Sequence, residues 1–130
     1  MVGNRMRVLV VDDEPSICRA LQIALARAGC DVDTAESGEG GIARLRAEHF
    51  DCLVLDLRIP DLRGDVVFEL AASIQPHLRR QSIFITGDFS ARGTELIDAC
   101  GCPVVTKPFD LHELLDLVLR LVPRTQDASA

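Results

Sequence analysis

A chain of 130 residues, 48% of them apolar, with no Trp or Tyr, has the size and composition of one soluble globular domain. It is long enough to bury roughly two-thirds of the surface its unfolded chain exposes. The formal net charge of −6 argues against non-specific binding of nucleic-acid phosphate by this domain, and no apolar run is long enough to span a membrane. The five cysteines, Cys18, Cys30, Cys52, Cys100 and Cys102, are odd in number and lack metal-ligand spacing. They are read as reduced, mostly buried small hydrophobes. The N-terminus runs straight into a Val/Leu segment with no signal-peptide features, so a cytoplasmic location is expected.

In chain order, short apolar segments alternate with helical patterns. Met6 to Val11, Val32 to Ala35, Cys52 to Leu55, Ser82 to Ile85 and Val104 to Thr106 read as strands buried on both faces of a parallel sheet. After the first, Ile17, Leu21, Ala24, Leu25 and Ala28 recur at helical spacing until Gly29 ends the pattern. The Ser-Gly-Glu-Gly-Gly stretch at 37–41 lacks the Gly-Lys-Ser/Thr ending of a nucleotide loop and reads as a helix start, with Ile42 and Leu45 beginning its apolar face. Val66, Val67, Leu70, Ala71 and Ile74 make a third face, stopped before Pro76.

Residues 90–100, with Gly93 and few large apolar side chains, carry the weakest helical pattern, and Gly101 is its expected terminator. Asp110 is the expected cap of a last helix whose buried stripe is Leu111, Leu114, Leu115, Val118 and Val122, ending at Pro123. Leu117 and Leu121 lie on a flank beside that stripe. They are expected either to present a partner surface or to sit under a neighbouring element. Five strand–helix units predict a doubly wound α/β sandwich with right-handed crossovers. The domain is expected to occupy residues 4–122, with the polar, non-periodic residues 123–130 a disordered tail or the start of a linker.

Lys107 is the single lysine, and the other thirteen basic residues are arginine. That bias marks a position needing a compact, rotatable ammonium instead of a planar fork. On the predicted frame Asp12, Asp13 and Glu14 follow the first strand, Asp56 the third, Thr86 and Gly87 the fourth, and Lys107 the fifth. All fall at carboxyl ends of strands, the edge where open α/β sheets form their ligand crevice. Singly each has a local explanation: a helix cap for Asp13, a turn for Thr86, a solvated loop for Lys107. Together on one edge they point to a site.

Three carboxylates gathered without a partner raise one another's pKa, so they call for a cation. A few carboxylates with several retained waters suit Mg²⁺ better than an all-protein Ca²⁺ cage. A lysine, a hydroxyl and the backbone amide of the small Gly87 supply donors to an incoming anion. Acid, metal, ammonium and hydroxyl are the parts of a phosphoryl-transfer site, and its nucleophile would be one of the carboxylates.

With these residues in place, the chain resembles the receiver domain of two-component response regulators. The resemblance runs from about Met6 to Val122. It rests on Val-Asp-Asp-Glu-Pro at 11–15, Leu-Asp-Leu-Arg-Ile-Pro-Asp-Leu-Arg-Gly at 55–64, Ile-Thr-Gly at 85–87 and Thr-Lys-Pro-Phe at 106–109. It implies a five-stranded sheet in order 2-1-3-4-5, with Asp56 as phosphoacceptor from a histidine kinase or phosphotransfer protein. It further implies that Asp13, Asp56 and the backbone carbonyl of Arg58 bind Mg²⁺ directly, with Asp12 acting through water. Lys107 would pair with the phosphoryl oxygens, Thr86 would move to hydrogen-bond them, and the peptide before Pro108 would be cis. Receivers of this family commonly pair through the fourth helix, fifth strand and fifth helix, the surface expected here for a homodimer or an effector.

The chain departs from the family pattern where Tyr or Phe usually stands three residues before the lysine; here that residue is Val104. A valine cannot swing as a ring does, so phosphorylation is expected to be read out through the backbone after Thr86 and the weak helix. Arg58 and Asp88, each two residues beyond a site residue, are expected to tune the aspartyl-phosphate lifetime. His49, His77 and His112 have no ligand or nucleophile partner in the sequence and receive no role. Other readings stay open: a receiver cut from a longer regulator, a stand-alone or phosphorylation-independent receiver, a phosphate sink, or a small aspartate-dependent phosphatase. The last lacks its usual Asp-x-Asp motif, since Asp56 is followed by Leu57 and Arg58.

Overall fold

Strict alternation along buried strands sorts this chain into two cores. In the computed structural model, which describes residues 5–87 and 101–121, the strands are β1 (Arg7–Val11), β2 (Asp31–Ala35), β3 (Cys52–Asp56), β4 (Ser82–Thr86) and β5 (Val104–Thr106). They form one parallel sheet in the order β2-β1-β3-β4-β5. The helices are α1 (Pro15–Arg27), α2 (Gly38–Ala47), α3 (Gly64–Ile74) and α4 (Leu111–Leu121), with a 3-10 turn at Pro76–Arg79. Residues 88–100, which hold the weak helix predicted from the sequence, lie outside the described residues, as do Val122 and Pro123.

Because successive strand side chains point to opposite faces, Leu9, Val11, Leu53, Leu55 and Phe84 pack with α2 and α3 in one cluster. Val8, Val10, Cys52, Val54, Ile83, Ile85 and Val105 pack with α1 and α4 in the other. Every residue of β3 and β4 is buried. That is why these segments read as unbroken apolar runs, with only Asp56, Ser82 and Thr86 polar.

Helix ends follow local chemistry. Gly29 ends α1 with φ +97°, and the N–H of Cys30 donates to the Leu25 carbonyl at 3.0 Å, a closure that the left-handed residue makes possible. Ser37 caps α2, its hydroxyl accepting from the Gly40 N–H at 3.0 Å. Asp110 precedes α4, its carboxylate accepting from the His112 N–H at 2.8 Å. Glu14 stands at the cap position of α1, yet its side chain makes no capping bond.

Two expected faces need correction. On α3 the buried residues are Val67, Phe68, Ala71 and Ala72, while Val66 and Leu70 are each 37% exposed. The helix is apolar on nearly every side, so spacing alone could not say which stripe meets the sheet. On α4 Leu111 is exposed, and Leu117 and Leu121 are partly buried against the α1-side cluster. Both leucines of that flank are thus partly covered by the α1-side core and partly exposed among the described residues. Cys18, Cys30 and Cys52 are buried, Cys102 is partly so, and all four are free thiols; Cys100 lies outside the described residues. No described helix is long and apolar enough to cross a membrane.

Candidate functional site

The α1-side alternation carries the site. Val8 and Val10 are followed two residues on by Asp12, Cys52 and Val54 by Asp56, and Val105 by Lys107. The next side chains of that buried face, at the carboxyl edge of the sheet, are therefore two acids and the lysine. Asp12 is fully buried and Asp56 nearly so. Lys107 Nζ lies 3.0 Å from Asp56 Oδ2, 3.3 Å from Asp12 Oδ2 and 2.5 Å from Glu14 Oε1. The Lys107 N–H donates to the Thr86 carbonyl at 2.8 Å, which fixes where the lysine leaves β5. The Lys107–Pro108 peptide is cis.

Both buried acids are oriented by the same local device. Asp12 Oδ1 accepts the Glu14 N–H at 2.9 Å, and Asp56 Oδ1 accepts the Arg58 N–H at 3.0 Å, bonds that aspartates make readily to the backbone two residues on. Each carboxylate is thereby left with Oδ2 toward the lysine. Asp12 Oδ2 is buried and accepts no hydrogen bond; Lys107 is within ion-pair distance but not in hydrogen-bond geometry.

Burial is the main cause that pushes the Asp12 carboxyl up to about 6, against the lowering effect of the Glu14 N–H, with Asp56 adding repulsion and Lys107 relief. Burial by itself would lower the Lys107 pKa. The hydrogen bonds and charges of Glu14, Asp56 and Asp12 outweigh it and hold the ammonium well above its ordinary range.

Oxygen atoms of Asp12, Asp13, Glu14 and Asp56 lie within 4.8 Å of one another. An all-oxygen set is the chemistry of a hard divalent ion, and the orphaned, buried Asp12 Oδ2 is an acceptor in need of one. The residues therefore fit Mg²⁺. Thr86 is buried at the end of β4, beside Thr106 in register, and Gly87 is exposed, with Lys107 Cβ at ordinary contact distance, 3.9 Å, from where its Cβ would stand. The Arg58 side chain is exposed and holds no ion pair among the described residues; Asp88 lies outside them. Val104 is partly buried on β5 beside Phe84, packed on the α2/α3 side.

Three features lie beyond the residues that the sequence pattern singles out. Glu14 stands at the same edge, and its charge next to Asp12 and Asp13 is the signal that marks it. Asp61 accepts from the N–H groups of Gly38 and Glu39 at 2.9 and 3.0 Å, tying the loop after Asp56 to the start of α2. His49 and His77 do have partners: their rings stack at 4.8 Å, His49 Nε2 meets Asp51 Oδ1 at 3.2 Å, and His77 Nε2 meets the Phe50 carbonyl at 2.6 Å. This cluster lies at the opposite end of β3 from Asp56, and nothing in the sequence pairs the two rings.

A doubly wound sheet with an acid cluster and one lysine at its carboxyl edge defines a phosphoryl-handling module of the receiver type. The family model for the response regulator receiver domain matches residues 8–119, and the chain belongs to that family, the receivers of two-component signalling. It is 38% identical over 125 residues to the transcriptional regulatory protein KdpE of Mycobacterium tuberculosis, covering 95% of this chain and 53% of the relative. It is 34% identical over 123 residues to the probable transcriptional regulatory protein TcrX of the same species, covering 95% and 52%. The chain thus spans about half the length of these curated relatives. Among solved structures, the CheY-like receiver domain protein of Methanospirillum hungatei superposes with a TM-score of 0.83 at 25% identity, covering 97% of this chain and 99% of that one. These matches favour neither the phosphatase nor the phosphorylation-independent reading.

Proposed function

We propose that Asp56 is the phosphoacceptor and that this receiver takes its phosphoryl group from the phosphohistidine of a histidine kinase or phosphotransfer protein. The observation that supports this most directly is the orientation of Asp56. Its Oδ1 is occupied by the Arg58 N–H, and its Oδ2 faces the only lysine of the chain at 3.0 Å. In the transfer a carboxylate oxygen of Asp56 forms the O–P bond as the P–N bond breaks, and the electron pair stays on the departing imidazole, which takes up a proton. Lys107 neutralises charge on the phosphoryl oxygens, held in position by the Thr86 carbonyl.

Asp12, Asp13, Asp56 and the Arg58 carbonyl would hold Mg²⁺, with Asp12 acting through water; when bound, the ion offsets charge on the transferring group. The Thr86 hydroxyl and the Gly87 amide complete the phosphoryl contacts. With Val104 in place of a ring, the readout runs through the backbone after Thr86. Arg58, free to fold over the acyl phosphate, tunes its lifetime together with Asp88. The module promotes its own phosphorylation and dephosphorylation and has no metabolic substrate. The receiver unit is taken as residues 4–122.

A homodimer or effector docks on the surface to which β5 and α4 contribute, with Leu117 and Leu121 at its margin; the helix expected at 90–100 lies outside the described residues. The free thiols fit a cytoplasmic protein. The length of the relatives and their names, transcriptional regulatory proteins, support a receiver that works with an output domain on a longer chain.

Intact mass after incubation with a small phosphodonor tests this reading, with and without Mg²⁺, for wild type, Asp56→Asn and Lys107→Ala. One metal-dependent phosphoryl adduct, absent in Asp56→Asn, is expected. No adduct under any condition would make the chain a receiver that works without phosphorylation. For the lifetime role, an unchanged hydrolysis rate in both Arg58→Ala and Asp88→Ala would remove it.

A further inference from the structure

We propose that Glu14 is the exchangeable partner of Lys107, a positioning residue that restrains the lysine until a phosphoryl group takes its place. This rests on Asp56 as phosphoacceptor. An ammonium has three N–H donors, and three carboxylates surround Lys107. Glu14 is nearest at 2.5 Å, Asp56 follows at 3.0 Å, and Asp12 at 3.3 Å lacks hydrogen-bond geometry.

A phosphoryl group on Asp56 brings nearly two negative charges and three acceptor oxygens, which compete with the surrounding carboxylates for the one ammonium. The side chains of Asp12 and Asp56 are 0% and 4% exposed, whereas Glu14 is 52% exposed. A buried carboxylate stripped of its cation finds no water, while Glu14 is solvated as it turns away. Glu14 is the partner that can be released at small cost.

A second observation points the same way. Glu14 holds the cap position of the thirteen-residue α1, where a side-chain oxygen can accept from the free N–H groups of the first turn. Here it accepts none of them. Its side chain is directed across the crevice to a lysine 93 positions further along the chain. The Glu14 backbone N–H meanwhile orients Asp12, so one residue sets a metal-site acid with its main chain and occupies the phosphate lysine with its side chain. Removing the Glu14 charge frees Lys107 for an incoming dianion and lowers the negative potential at the mouth of the site.

The test measures the rate of aspartyl-phosphate formation by intact mass over a series of acetyl phosphate concentrations at saturating Mg²⁺, in wild type, Glu14→Gln and Glu14→Asp. Glu14→Gln should reach half its maximal rate at about fivefold lower acetyl phosphate than wild type, the scale of an exposed ion pair. Glu14→Asp keeps the charge and should stay within about twofold of wild type; added salt should shrink the Glu14→Gln difference, since exposed charges are screened. A half-saturation unchanged or raised in Glu14→Gln, or a difference indifferent to salt, would overturn the proposal while leaving Asp56 in its role. No adduct on wild type, or one that survives Asp56→Asn, would instead remove the phosphoacceptor assignment, and the Glu14 proposal with it.

Discussion

Asp12 and Asp56, side by side at the carboxyl ends of adjacent strands, are held by one repeated device: each spends Oδ1 on the N–H two residues downstream, at 2.9 and 3.0 Å, and turns Oδ2 to Lys107. The difference lies in what the second oxygen gains. Asp56 Oδ2 accepts a hydrogen bond from the lysine, and Asp12 Oδ2 accepts none. An ionised, buried Asp12 is therefore a strain on the metal-free fold.

That strain has a sign. The folded Asp12 carboxyl is raised from 3.8 to about 6, so its protonated form is favoured on folding. Its effect on stability worsens as pH rises from 3.8 through about 6 and is constant above, costing on the order of 3 kcal/mol. Without metal at about pH 8, Asp12→Asn should melt above wild type, and the two should converge toward about pH 4 as the wild-type carboxyl protonates. Mg²⁺ should raise the wild-type midpoint more at the higher pH. Equal midpoints for wild type and Asp12→Asn at the higher pH, measured by circular dichroism in chelator, would contradict this account.

Asp61 works in the opposite direction. Its carboxylate is exposed, and the N–H groups of Glu39 and Gly38 hold its pKa below the ordinary 3.8. A depressed carboxyl adds stability above its unfolded pKa and loses it as pH falls through the folded value. Asp61→Ala should lower the melting midpoint at neutral pH, with the deficit closing in acid below the ordinary carboxylate range. Hydrogen exchange at Gly38 and Glu39 should quicken, and unchanged protection there would show that the tie contributes nothing.

Gln75 is a buried cross-brace. Its Nε2 donates to the carbonyls of Leu45 and Glu48 at 2.8 and 2.7 Å, and its Oε1 accepts the Phe50 N–H at 3.0 Å. Gln75→Leu leaves buried backbone groups without partners and should destabilise by about 1–3 kcal/mol. Urea denaturation checks the figure, and a midpoint equal to wild type would refute it.

Gly64 begins α3 under the loop that carries Arg58. A Cβ there would sit 2.6 Å from Leu57 Cα, and Gly64 N–H donates to the Leu57 carbonyl at 3.1 Å. Backbone cannot step aside as a flexible side chain can, so Gly64→Ala should cost roughly 1–3 kcal/mol and displace the segment next to Asp56. Crowding here predicts slower phosphorylation as well as a lower midpoint. Gly87→Ala, where the nearest atom is Lys107 Cβ at 3.9 Å, should leave the midpoint unchanged.

Legible in the amino-acid sequence were the strand set, the two-faced burial of β1, β3 and β4, though not of the edge strands β2 and β5, and the edge on which Asp12, Asp13, Asp56 and Lys107 meet. Those features are local: a buried strand must be apolar on both faces, and a polar residue at its end stands out. The tertiary structure decided which stripe of α3 faces the sheet, because Val66 and Leu70 compete on equal terms with Phe68 and Ala72 until the helix is docked. It likewise turned Leu117 and Leu121 onto the α1-side core. It also assigned partners across long loops: Glu14 to Lys107, Asp61 to the start of α2, Gln75 between α2 and β3, and His49 against His77. A carboxylate's partner depends on which donor the fold brings within about 3 Å, and residue type and spacing carry no record of that distance.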